Sequence, residues 1–136
     1  MAKKKLHFNS RTIHGGQKPD KAYGSVMPPV YFTSTYAQTK PGEHLGYEYS
    51  RSHNPTRSAL EASLASIESG NQALTFASGM AAIDAVIKLL QPGDEVISTN
   101  DLYGGTYRIF TKVFASYEIK FHFVPMGQIE EVKKHI

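Results

Sequence analysis

The sequence of 136 residues predicts an α/β domain built on a parallel sheet and preceded by an extended N-terminal arm. Three observations carry this expectation. From Asn54 onward, segments of helical period alternate with short apolar runs of strand length. The stretches between those runs are long enough to hold the crossover helices that parallel strands require. Before Asn54 the chain is instead rich in Gly, Pro, Ser, Thr and Tyr, with little sustained period. The expected organisation is therefore an arm over residues 1–54 and a domain over 55–136.

In the arm, "VMPPVYFTSTYAQ" reads as extended, because adjacent Pro28 and Pro29 forbid a helix. A polar arm of this length has little with which to pack on itself, and it is expected to lie against something else. Asn54 can cap a helix, and Pro55 suits its first position. Leu60, Leu64 and Ile67 then recur at helical spacing, with Gly70 placed to end the helix. "ALTFA", 73–77, is a short apolar run that predicts a first strand. Met80 to Leu90 is helical in period and apolar on most sides, which predicts deep burial. "QPGD" is a turn, and "EVIST", 95–99, predicts the second strand. Tyr107, Phe110, Val113, Phe114 and Tyr117 line one face of a crossover helix over 106–117. "IKFHFV", 119–124, alternates, as a strand with one wetter face does. Ile129, Val132 and Ile136 open another helix.

Composition narrows the function classes. Forty per cent of the residues are hydrophobic and 20% charged, a soluble globular balance. The net charge is +3, part of it from Lys3, Lys4 and Lys5, a run that reads as a solvated terminus. With no basic stripe carrying interleaved aromatics elsewhere, no nucleic-acid partner is expected. The absence of cysteine excludes disulfides, thiolate metal sites and Cys nucleophiles within the chain. The six histidines have no metal-ligand spacing, and no Ser-His-Asp arrangement can be argued. "LHFNSRTIHGG" has no apolar core, and the longest apolar stretch is interrupted by Asp84 and Lys88. No membrane partner is expected, and a cytoplasmic location is the default.

Three stretches carry chemistry. In "TFASGMAA" a strand-like run ends, small residues follow and a helix begins. Such a junction directs backbone N–H groups at one spot beside the positive end of a helix dipole, which suits a phosphate. Ser78 adds a hydroxyl, and Ser78 and Gly79 allow a ligand close to the backbone; the same junction also serves as a plain cap. In "YEYSR", an extended backbone puts Tyr49 and Arg51 on one face, where phenol and guanidinium can both donate to phosphate oxygens. Glu48 then points the other way, toward a cationic group; an exposed surface strand is the competing reading. "NDLYGGTYR" follows a strand directly, where ligands of open α/β sheets bind. Tyr103 there can stack on a planar ring or plug the edge of the core. Gly104 and Gly105 let the backbone turn sharply after it, and Arg108 can reach a carboxylate.

Together "YEYSRSHNPTRSALE", "FASGMAAI" and "PGDEVISTNDLYGGTYR" resemble the pyridoxal-phosphate enzymes of cysteine and methionine metabolism, the cystathionine γ-synthase and γ-lyase type, in order and in spacing. The resemblance runs from "RTIHGGQ" at residue 11 to residue 136. It implies a fold-type I transferase domain, mostly parallel sheet with helices on both faces, of which this chain holds the arm and the first part. It implies pyridoxal 5'-phosphate as cofactor. It implies a homo-oligomer, a homotetramer, in which the residues matching Tyr49 and Arg51 bind the cofactor phosphate of a neighbouring subunit. The residues matching Gly79 and Met80 offer N–H groups to the same phosphate, beside Ser78. The residue matching Tyr103 stacks on the pyridine ring and assists proton transfer, and the position matching Arg108 lies near the substrate; Glu48, facing a cationic group, is a further candidate on the substrate side. The implied substrates are sulfur amino acids, cystathionine or an O-activated homoserine with cysteine, undergoing β- or γ-elimination or replacement. The family also uses a Schiff-base lysine, in a context like Ser-x-Thr-Lys-Tyr, and an aspartate on the pyridine nitrogen, both beyond the stretch matched here. Lys40, Lys88 and Lys112 lack that context. This chain alone is therefore expected to be an inactive N-terminal portion of such an enzyme, with a non-catalytic remnant or subunit-interaction fragment as the alternative.

Overall fold

The computed structural model describes residues 6–136, so the Lys3–Lys5 run lies outside the described residues. By packing, the chain divides into two compact units, one ending at Thr75 and the other beginning at Phe76.

The first unit opens with a helix that the composition of the arm does not announce, α1 (Phe8–His14). Arg11 holds it down. Its Nη1 donates to the Ser66 carbonyl at 2.6 Å and to the Ser69 hydroxyl at 2.8 Å. Both acceptors belong to the carboxyl end of the following long helix, where a cation is favoured by the exposed carbonyls. The arm also folds back farther along. Strands β1 (Gln38–Lys40) and β2 (Glu43–His44) pair antiparallel, and a single bridge joins Thr35 to Tyr49. The expectation that the arm does not pack on its own chain therefore fails for residues 8–16 and 34–50. It describes residues 21–32 better: Tyr23 is 95% and Phe32 96% exposed, and Val26, Met27 and Val30 are exposed as well.

Helix α2 (Pro55–Glu68) begins as the sequence predicts, with Asn54 Oδ1 accepting from the Thr56 N–H at 2.8 Å and Pro55 in the first turn. Its end differs. Ser69, not Gly70, takes the left-handed conformation, with φ of 59°. The Gly70 N–H then reaches back to the Ala65 carbonyl at 2.9 Å. Its apolar stripe differs too. Leu60 and Leu64 are exposed, and the buried positions are the small Ser63 and Ala65; Gly15 comes so close to Ser66, and Gly16 to the backbone of Ala62 and Ser63, that no side chain fits at either glycine.

The predicted strand over 73–77 is not formed. A strand exists only through its neighbours, and no described residue pairs with this one. Its Thr75 N–H goes instead to the Glu61 carboxylate at 3.0 Å.

The second unit is a parallel pair of strands joined by a crossover. Strands β3 (Glu95–Thr99) and β4 (Lys120–Val124) pair in register from Glu95 with Lys120 to Thr99 with Val124. Helix α3 (Gly79–Ile87) precedes them and α4 (Gly104–Lys112) connects them. The predicted 106–117 helix is thus shorter, breaking at Val113 into a 3₁₀ turn over Phe114–Tyr117. The break lets Phe114 join Ile87, Phe110 and Ile119 in the core, while Phe110 and Phe121 stack with centroids 4.4 Å apart. The deep burial expected for residues 80–90 is not seen: Ile87 is buried, but Val86 and Leu89 are exposed. The described sheet has only two strands, so one side of α3 has nothing to cover it. At the start of the ladder Glu95 binds Lys120 at 2.9 Å and His122 at 2.7 Å, and these hold its carboxyl below the ordinary value. Helix α5 (Ile129–Lys133) follows, short and without buried residues.

Candidate functional site

Two clusters hold the residues that the sequence singles out, one in each unit. In the second, the amino ends of α3 and α4 meet. Ser78 caps α3, its Oγ accepting from the Ala81 N–H at 3.1 Å, and its carbonyl takes the Ala82 N–H. That leaves the N–H groups of Gly79 and Met80 without an acceptor among the described residues. Apart from its chain neighbours and the helix backbone, nothing lies within 4 Å of where a Gly79 Cβ would stand, so the space beside Gly79 is open. Two free N–H groups, a hydroxyl and the positive end of a nine-residue helix form a donor set matched to a phosphate. Pyridoxal 5'-phosphate is such a group, and the residues present fit its phosphate end.

Tyr103 stands beyond the carboxyl end of β3, at the amino end of α4. Its carbonyl accepts from Thr106 and Tyr107 N–H groups and starts the helix. Tyr103 is 74% exposed, so it does not plug the core edge. It lies instead along the first turn of α4, near the Met80 thioether. Thr106, buried in the same turn, directs its hydroxyl at Met80 Sδ at 3.8 Å. The structure thus brings Ser78, Gly79, Met80 and Tyr103 to one place. An exposed aromatic face beside a phosphate-type donor set can receive a planar, phosphorylated ring. Gly104 and Gly105 do not serve the sharp turn expected of them. Both sit inside α4, and neither has positive φ. Arg108, a turn farther along α4, is exposed and makes no side-chain hydrogen bond among the described residues.

The first unit carries the other cluster. Tyr49 and Arg51 do share a face, but not as alternate residues of a strand. Tyr49 makes its one bridge to Thr35, and the chain then turns, with the Ser52 and His53 N–H groups both on the Tyr49 carbonyl. The turn brings the Arg51 guanidinium over the Tyr49 ring, 4.9 Å from its centre. Phenol and guanidinium are left together at the surface. Glu48 is exposed too, its backbone carbonyl taken by the Tyr36 N–H. Around this turn, Tyr36, Tyr47 and His53 form an aromatic ladder, with Tyr47 and His53 stacked at 5.3 Å. His53 Nε2 lies 3.3 Å from the Ser58 hydroxyl, which donates to the Asn54 carbonyl. With its proton so engaged, Ser58 is not set up as a nucleophile. Sequence reasoning missed this ladder and the anchoring by Arg11; both depend on contacts between distant residues, and no local pattern signals them.

Comparison with known proteins agrees with this chemistry. A family model described as "Cys/Met metabolism PLP-dependent enzyme" matches residues 9–136. The chain is 51% identical over 134 residues to a cystathionine beta-lyase of Coxiella burnetii, covering 98% of this chain and 35% of that protein. It is 52% identical over 124 residues to a cystathionine gamma-lyase of Bacillus subtilis, covering 91% and 33%. Among solved structures, metB from Corynebacterium glutamicum superposes with a TM-score of 0.90 at 42% identity, over 96% of this chain and 34% of that one. The chain spans about a third of the length of the curated relatives it matches.

Proposed function

The chain belongs to the Cys/Met metabolism PLP-dependent enzyme family, and from that premise we propose that it is the phosphate-gripping portion of a trans-sulfuration enzyme acting on sulfur amino acids. Its fold is a partial fold-type I domain. The observation that carries the reading is the pair of free N–H groups of Gly79 and Met80 opening beside the exposed Tyr103 ring.

When bound, pyridoxal 5'-phosphate supplies an electron sink for bond breaking at the substrate's α-carbon. Gly79 and Met80 hold its phosphate through their N–H groups, with the Ser78 hydroxyl beside them. Tyr103 lays its ring against the pyridine and moves a proton at its phenol oxygen. Arg108 and Glu48 serve the substrate side, Arg108 toward a carboxylate. Tyr49 and Arg51 act on the phosphate of a neighbouring subunit in a homo-oligomer, so residues 1–54 work as an arm and 55–136 as the first part of the cofactor-binding domain. The substrate is cystathionine, or an O-activated homoserine with cysteine. The setting is cytoplasmic; among the described residues no helix is long and apolar enough to cross a membrane. This chain alone turns over no cystathionine. Lys40 is paired with Glu43 at 2.8 Å and Lys88 with Asp84 at 2.7 Å, which supports reading both as surface residues.

The test uses 4'-deoxypyridoxine 5'-phosphate, which lacks the aldehyde and so cannot react with lysines. Titrated into the labelled chain, it should shift the Gly79 and Met80 amide resonances, while unphosphorylated 4'-deoxypyridoxine should not. Equal responses to both compounds, or none, would remove the phosphate-binding reading. In parallel, thiol release from cystathionine by the chain with cofactor would overturn its inactivity.

A further inference from the structure

Gly105 lies in the first turn of α4, where the backbone asks nothing special of it. What sets it apart is space. A Cβ at this position would stand 2.5 Å from Tyr103 Cε1, 3.1 Å from Tyr103 Cδ1 and 3.3 Å from Met80 Sδ. Non-bonded carbons rest at about 3.5–4.0 Å, so the first of these is a hard overlap. Gly104, its neighbour on the same helix, has nothing within 4 Å of its own Cβ position apart from its chain neighbours and the helix backbone. Only at Gly105 is a Cβ shown to overlap the Tyr103 ring and to crowd Met80. The three nearest atoms all belong to the side chains of Tyr103 and Met80, not to backbone. Because the Tyr103 ring is largely exposed, it has room to swing away. A side chain at 105 is therefore tolerated by the fold and paid for by the ring.

We propose that Gly105 is a positioning residue for Tyr103. Its missing side chain leaves a notch that seats the ring edge beside Met80, and so beside the N–H groups that open α3. A methyl group in the notch turns the ring out of register with the phosphate donors while leaving them intact. The cofactor is then gripped at its phosphate and unsupported at its ring. This consequence rests on the proposed role of Tyr103 as the stacking residue; the seating of the ring does not.

Two variants of this chain, Gly105→Ala and Gly104→Ala, separate the notch from the general effect of replacing a helical glycine. Both should keep the fold, since alanine favours a helix over glycine. In the parent chain and in Gly104→Ala, proton cross-relaxation between the Tyr103 ring and the Met80 methyl should be present. In Gly105→Ala it should be lost, with far-UV dichroism and melting matching those of Gly104→Ala. For 4'-deoxypyridoxine 5'-phosphate, affinity should fall roughly 2- to 10-fold in Gly105→Ala alone, the range expected for one aromatic pair. The phosphorus resonance of the bound compound should stay unchanged. Retention of the Tyr103–Met80 signal in Gly105→Ala, or its loss in both variants, would overturn the positioning role. Failure of the parent chain to bind the compound would remove the cofactor reading, and the ring–methyl signal would still decide the notch.

Discussion

The Arg51 side chain is placed in a way that suits the phosphate-binding role proposed for it. A guanidinium stacked on a phenol keeps its donors free, because the ring engages its face and not its N–H edge. Arg11, by contrast, has spent Nη1 on the end of α2 and is structural. The residue types were legible in the sequence, since "YEYSR" puts phenol and guanidinium within two positions. The turn that joins them was not, because it is set by the Tyr49 carbonyl and by the bridge to Thr35. In the enzyme of full family length, Arg51→Ala should weaken cofactor binding by roughly 1.5–3 kcal/mol, the contribution of a hydrogen bond to a charged group. The defect should act across subunits. Mixing Arg51→Ala subunits with subunits that lack the cofactor-holding lysine but keep an intact arm should restore activity, measured as thiol release from cystathionine. A mixture that stays as inactive as its components would show that Arg51 works within its own subunit or not at all.

Elements that depend on local signals were readable, and those that depend on partners were not. The start of α2 needs only Asn54 and Pro55, and β3 and β4 need only each other across one crossover. The 73–77 run has strand composition, yet its Thr75 N–H and hydroxyl both bind Glu61, each at 3.0 Å. This contact makes α2 the anchor of the segment that leads out of the first unit, and it is sensitive to pH. The Thr75 N–H holds the Glu61 carboxyl below its ordinary value, with the Thr75 hydroxyl and Arg57 adding to this and burial opposing it. A carboxyl whose folded pKa is depressed contributes stability above its unfolded value, about 4.3, and loses it as the pH falls through the folded value. Lowering the pH from 6 to 3 should therefore release Thr75 while the N-cap of α2 persists, since Asn54 does not titrate. The measurement is the Thr75 amide resonance across that range, with Glu61→Gln as the variant that abolishes the titration. A Thr75 midpoint at or above 4.3 would contradict the assigned direction.

For the whole molecule, the question is what holds each unit together. Burial in the second unit centres on Ile87, Phe110, Phe114 and Ile119, and its sheet has two strands. Two strands are marginal without further cover, and both outer edges present unpaired backbone among the described residues. In the first unit, α1 and α2 are pinned by Arg11, while residues 21–32 expose Tyr23, Val26, Met27 and Phe32 in one stretch. Exposed apolar side chains gathered in one stretch favour association, in keeping with the arm role proposed above. Hydrogen exchange should read this pattern directly. Amides of the β3–β4 ladder and of α4 should exchange most slowly, because they combine hydrogen bonding with packing on the core. Amides from 21 to 32 should exchange fast in dilute solution and slow as concentration rises, in step with the apparent mass from light scattering. That coupling is what the proposed role of the arm, lying on a neighbour, requires. Strong, uniform protection in a monomer, including residues 21–32, would show that the chain satisfies its own surface and needs no partner to do so.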